Sequence, residues 1–181
     1  MKVAIVVGHT SNGDKGAYSE HLAMTEYDYN LQVANHMKFL RPDKYDIYTH
    51  TIQDYYSRWK SMAEKLNSKN YDLVIELHFN AATPAANGTE TLYYFNSKKG
   101  RDYAKTLSKG IVEEFGTTIR GVEGSKALIT KGDRGFYAVY LPKAVALIVE
   151  PFFGSNPEAK KFQDYKKYAC VLDNIIQNKL K

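Results

Sequence analysis

Lys2-Val3-Ala4-Ile5-Val6-Val7-Gly8-His9 opens the chain, and its reading decides the fold. Val3–Val7 is an unbroken apolar run, rich in β-branched residues and without polar alternation. Such a run describes a strand buried on both faces, as in parallel sheets covered by helices. Tyr71–His78 and Ala144–Glu150 repeat the design, one finishing on His78 and the other on Glu150. Stretches with a helical period lie between them. Tyr27, Leu31, Ala34 and Met37 recur at threes and fours within Glu26–Leu40, with Thr25 as cap and Pro42 as stop. Ile52, Tyr55, Trp59, Met62 and Leu66 make a second apolar face over Ile52–Leu66. Asp102–Phe115 reads as a third helix, closed by Gly116. Asn156 and Pro157 cap a last helix that turns Phe162, Tyr165, Ala169, Leu172, Ile176 and Leu180 inward. Tyr45–Thr49 and Gly88–Phe95 add strands. Residues 117–135 read as a glycine-rich loop with a short strand near Ala127–Thr130. The alternation predicts an α/β fold: a single layered domain whose mostly parallel, twisted sheet of about six strands carries helices on both faces.

Composition narrows the function classes. A chain of 181 residues holds one domain of ordinary size, and 44% apolar with 25% charged residues excludes disorder. No apolar run approaches the ~20 residues of a membrane-spanning helix. The apolar stretch at the N-terminus is too short for a secretory signal, so the expectation is synthesis in the cytoplasm and release or export by another route. Cys170 is the single cysteine, which excludes an internal disulfide and a cysteine-rich metal site. Its place inside an apolar-periodic helix reads as core. The net charge of +5 comes from scattered lysines without an arginine-rich run or a nucleic-acid motif, so nucleic acid is not an expected partner.

The ionisable residues that end the strands carry more information. Ligands of open α/β sheets bind at the carboxyl ends of parallel strands, where His9, His78 and Glu150 all fall. Charges at the ends of buried strands are expensive without a purpose. Two histidines and a glutamate suit catalytic zinc, which takes three protein ligands and keeps a fourth position open. The sequence lacks His-Glu-x-x-His, Gly-x-Ser-x-Gly and a phosphate loop. A metal hydrolase whose ligands converge from separate segments leads.

Five stretches then fall in a telling order: Val7-Gly8-His9; Gly16-Ala17 with Glu26-Tyr27-Asp28-Tyr29-Asn30-Leu31; Glu76-Leu77-His78-Phe79-Asn80-Ala81; Gly88-Thr89-Glu90; and Ala146-Leu147-Ile148-Val149-Glu150-Pro151-Phe152-Phe153-Gly154. Together they resemble the zinc-dependent N-acetylmuramoyl-L-alanine amidases of autolysins and phage endolysins, with wording most like clostridial phage endolysins. The resemblance covers nearly the whole chain. It departs from the family at Pro142, eight residues before Glu150 and farther away than usual, which leaves the register of the last strand to be settled. Lysins of the family commonly add a wall-binding domain, whereas here one catalytic domain is expected over residues 1–181.

The resemblance implies hydrolysis of the amide between the lactyl group of N-acetylmuramic acid and the stem peptide's L-alanine. Bacterial peptidoglycan would be the partner and the enzyme a monomer. It assigns one zinc ion to His9, Glu26 and His78, and the proton transfers to Glu150. Glu26 is preferred to Glu20 because Asn30 and Leu31 follow it as in the family, and because a helix start fixes a ligand better than a loop. Glu76 shares a strand face with His78, either orienting an imidazole or making a salt bridge in the sheet. Asn80 and Glu90 lie in the motifs as supporting or substrate-contacting residues. Glu150 has a structural alternative in pairing with Lys126 or Lys131. A zinc peptidase or carboxypeptidase acting on stem peptides is the competing enzyme. A non-catalytic wall-binding relative ranks below it, because all four site positions are occupied. His21, His36 and His50 have no motif around them.

Overall fold

A computed structural model of the protein describes residues 1–180; Lys181, the last residue of the expected domain, lies outside them. The strands are β1 (Val3–Thr10), β2 (Tyr18–Ser19), β3 (Met24–Thr25), β4 (Tyr45–His50), β5 (Leu73–Leu77), β6 (Glu90–Tyr94), β7 (Ser125–Leu128) and β8 (Val145–Glu150). The α-helices are α1 (Glu26–Leu40), α2 (Tyr55–Asn67), α3 (Lys98–Phe115), α4 (Phe136–Tyr140) and α5 (Tyr165–Asn174). Six strands form one sheet in the order β4-β1-β5-β8-β6-β7, and β2 pairs with β3 in a separate hairpin. β4, β1, β5 and β8 are parallel, β6 runs antiparallel to β8, and β7 follows β6. Among the described residues no helix is long and apolar enough to cross a membrane.

Strand alternation divides the core between the two faces. Val3, Ile5, Val7, Leu73, Ile75 and Leu77 pack with Val33 of α1, Leu107 of α3 and Leu172 of α5. Ala4, Val6, Val74 and Ile148 meet Trp59 and Met62 of α2 and Phe136 of α4 on the other face. Burying each large apolar side chain contributes about 1.5–3 kcal/mol. Two-sided burial therefore makes β1, β5 and β8 rigid mounts for what stands at their ends. The turn at Pro142 precedes β8 without disturbing it: Leu73 through Leu77 pair residue for residue with Val145 through Val149.

Thr25 caps α1 by accepting from the Asp28 backbone N–H, and Gly116 closes α3 at φ 62°. Several readings change, α3 among them, which begins at Lys98 rather than Asp102 because the Ser97 side chain accepts from the Gly100 N–H. α2 begins at Tyr55 because the Asp54 side chain accepts from the Ser57 N–H; Ile52 stays in the preceding loop and is exposed. The last helix divides into a 3₁₀ turn over Pro157–Phe162, α5, and a π turn over Ile175–Lys179. Asp164 restarts it by capping the Lys166 and Lys167 N–H groups. Cys170 is exposed, not core, since it points away from the stripe formed by Ala169 and Leu172. The segment 117–135 is followed directly by α4, whose five residues are too few to show a helical period.

Candidate active site

The carboxyl edge of the parallel strands is reached by a bulge in β1. Its register with β4 slips between Val7 and Thr10, and His9 takes φ 65°, an uncommon conformation outside glycine. The bulge turns His9 into a cleft. Gly8 is needed beside it, because a Cβ there would stand 2.4 Å from Cε1 of His78 and 2.7 Å from the Leu77 carbonyl oxygen. The Gly8→Ala variant should displace the His78 ring and weaken metal binding by about 10–100-fold, the size of effect seen when a ligand loses its orientation. Titration of the folded variant with zinc checks this, and unchanged affinity would show that the ring can shift without cost.

Glu26, the first residue of α1, projects its buried carboxylate between the two imidazoles. Its Oε2 lies 3.1 Å from Nε2 of His9, and its Oε1 lies 2.8 Å from Nδ1 of His78. The Ala17 and Phe79 N–H groups donate to the same carboxylate. A Cβ on Gly16 would sit 2.7 Å from both Glu26 Oε2 and His9 Cδ2, so a small residue must close this side. One ligand atom from each of His9, Glu26 and His78 lies within 4.8 Å of the others, close enough to hold a metal ion.

The outer nitrogens of both rings also face carboxylates. His9 Nδ1 lies 3.1 Å from Asp14 Oδ1, and His78 Nε2 lies 3.2 Å from Glu76 Oε2. Rings held from outside in this way present their other nitrogen inward, as metal-binding histidines do. Burial opposes ionisation of Glu26, but the two imidazoles outweigh it and bring its pKa down to about 2. Burial likewise disfavours charge on His78, and the Glu76 and Glu26 carboxylates reverse it, raising its pKa well above the ordinary histidine value. His9 is raised against the same opposition by Glu26. The donor set thus fits a divalent cation: one anionic carboxylate and two oriented imidazoles converge on one point.

Glu150 ends β8, the strand next to the one that delivers His78, and β6 places Glu90 directly across from it. The Asn80 Nδ2 amide donates to both carboxylates, at 3.2 Å to Glu90 and through a shorter bond to Glu150. Burial is the main cause that raises the Glu150 pKa to about 7; the neighbouring Glu90 and Glu26 charges add to the rise. Neither Lys126 nor Lys131 forms an ion pair with Glu150, so the salt-bridge alternative is not realised. Glu20 stands exposed at the turn between β2 and β3, away from the cluster.

Two neighbours of the cluster escaped the reading of the sequence. Asp14 follows His9 by five residues in a loop bracketed by Gly13 and Gly16, which was the only available signal. His50 ends β4, is buried edge-on against Trp59 and lies 3.5 Å from Glu76. No sequence motif marks it, since only the strand order brings β4 beside β1. His36 lies far from this group, stacked on Phe39. The cleft has a volume of 790 Å³ and includes His9, Glu26, His78, Asn80 and Glu150.

A sheet edge bearing three convergent groups that could hold a metal ion, with a carboxyl group of raised pKa on the adjacent strand end, has the donor set of a hydrolase site. A family model described as N-acetylmuramoyl-L-alanine amidase matches residues 3–178, and the chain belongs to that family. Its substrate is peptidoglycan, and the bond cut joins N-acetylmuramic acid to L-alanine of the stem peptide. The chain is similar to the catalytic domain of the CD27L endolysin, described as targeting Clostridia Difficile, with 28% identity over 98% of this chain and 97% of that one, TM-score 0.78. Two further likenesses bear on the fold alone. The catalytic domain of CwlV from Bacillus (Paenibacillus) polymyxa var. colistinus shares 22% identity over all of both chains, TM-score 0.75. An N-acetylmuramoyl-L-alanine amidase from Clostridium difficile 630 shares 23% over 97% of this chain and 92% of that one, TM-score 0.70. The curated proteins contain no match.

Proposed function

We propose that the amidase is zinc-dependent, with His9, Glu26 and His78 as the ligands and Glu150 as the residue that moves the proton. The observation that supports this most is the convergence of His9 Nε2 and His78 Nδ1 on one buried carboxylate. Zinc favours this mixture of imidazole and carboxylate donors, and when bound it acidifies water toward a pKa of about 7 and polarises a carbonyl. The residues of the chain do the rest. Asp14 and Glu76 hold the outer ring nitrogens, so that each imidazole keeps its inner nitrogen available. Glu150, ionised near neutral pH, accepts a proton from the attacking water and returns it to the leaving amine of L-alanine. The Asn80 amide fixes the Glu150 carboxylate on one side, leaving the other oxygen for this exchange. Burial keeps the Glu150 pKa high, and the like charge of Glu90 adds to the rise.

Mass spectrometry of purified muropeptides, digested with and without a chelator, tests both the metal and the bond. The expected product is an intact stem beginning with L-alanine, formed only when zinc is present. Full activity in chelator would end the zinc assignment, and shortened stems would point to a peptidase.

A further inference from the structure

The part of the cleft away from the ligands has the opposite charge. Lys126 on β7, with Lys131 and Arg134 on the loop between β7 and α4, line it. All three side chains are exposed, and none is engaged in an ion pair among the described residues. Isolated exposed cations usually serve only solubility. These converge on one cavity, and the loop carrying two of them is fixed: the Asp133 carboxylate accepts from the Ile129 and Thr130 N–H groups, at 2.6 and 2.8 Å. Asp133 also lines the cavity and feels the charge of Lys126, but it forms no direct ion pair with any of the three. The remainder of the cavity is rich in carboxylates, with Asp14, Glu26, Glu76 and Glu150 on its lining beside His9, His78 and Arg58, the last 3.8 Å from Asp14. A cleft of 790 Å³ also has room for much more than the scissile amide.

We propose that Lys126, Lys131 and Arg134 form a carboxylate-binding subsite that holds the peptide stem of the substrate. The proposal rests on the amidase reading of the same cleft and adds a substrate class: stems with free side-chain or terminal carboxylates rather than amidated ones. The polarity of the cleft then orients the substrate. The scissile amide lies at the acidic, metal-binding end, and the carboxylates of the stem lie toward the basic end. The carboxylates of the substrate would supply a direct partner, which none of these three residues has among the described residues.

The test compares two muropeptides that differ only in free or amidated stem carboxylates, hydrolysed by the zinc-loaded wild type and by K126A/K131A/R134A. For the free stem, each lost charge should raise KM about fivefold, the upper range for an exposed ion pair, with kcat largely kept. The triple variant should lose ~100-fold in kcat/KM on the free stem and little on the amidated one. Added salt should raise the wild-type KM for the free stem alone. The charge-conserving K126R/K131R/R134K should restore the preference, separating charge from altered folding. Equal KM values for the two stems in the wild type, or equal losses on both in the triple variant, would overturn the subsite. The same digests report the first residue of the released stem. If that residue is not L-alanine, the amidase reading fails, while the carboxylate dependence of KM still decides the subsite.

Discussion

Glu150→Gln should lower turnover by about 10²–10⁴-fold while the metal stays bound. The amide keeps the shape of the side chain, and none of His9, Glu26 or His78 is altered. What it loses is the ability to accept a proton, which a carboxylate with a pKa of about 7 is suited to do near neutrality. Because the ionised form is the base, the acid limb of the wild-type kcat/KM profile should lie above the ordinary carboxylate range and disappear in the variant. Stability should change the opposite way. Burial raises the Glu150 pKa from 4.5 to about 7, so folding favours its protonated form. Wild-type stability therefore falls as pH rises from 4.5 through about 7. In chelator above that range, Glu150→Gln should be more stable than the wild type by about 1–3 kcal/mol, the shift converted and discounted for partial solvation. Below pH 4.5 the two should melt together. A variant with normal turnover would move the proton transfer elsewhere, with Glu90 next to be tested.

The origin of this raised pKa shows how far the sequence could be read. The apolar runs ending in His9, His78 and Glu150 identified three strands and their functional edge, because two-sided burial leaves an unmistakable composition. The helix start at Glu26 was legible from Thr25, whose cap forms as its position suggests. The order of the strands was not legible. Parallel strands connect through crossovers, and nothing in a linear pattern states which strands become neighbours. For that reason His50, with no motif, reached the rear of Glu76 unnoticed, and Glu90 came to face Glu150 through an antiparallel β6. The exposed Cys170 failed for a different reason: an apolar period gives a stripe, and a small residue beside it can point outward. Of the basic end of the cleft, Lys126 and Lys131 were legible only as possible partners of Glu150, and Arg134 not at all, because such residues are ordinary solvated cations until the fold brings them to one wall.

Glu26→Ala should cost ~10²–10⁴-fold in zinc affinity and abolish hydrolysis, whereas Glu20→Ala should change neither by more than about twofold. The magnitude follows from sharing the ~10–16 kcal/mol of a zinc site among its donors. The contrast follows from position, since Glu26 lies between both imidazoles and Glu20 is exposed at a hairpin turn. The metal-free protein depends on the same carboxylate. Burial opposes the Glu26 charge, but His78 and His9 lower its pKa from 4.5 to about 2, so its contribution is present above 4.5 and lost as pH falls through about 2. The histidines act in the reverse sense. Their raised pKa values give a contribution that is complete below 6.5 and is lost as pH rises through the folded values. Protons and zinc would compete for these two rings. Wild-type affinity, measured against a competing chelator, should therefore fall on acidification from a higher pH than an unperturbed histidine would give. In Glu26→Ala that onset should move to lower pH, because both rings lose the carboxylate that favours their protonated forms. Zinc retained by Glu26→Ala but lost from Glu20→Ala would reverse the assignment of the third ligand.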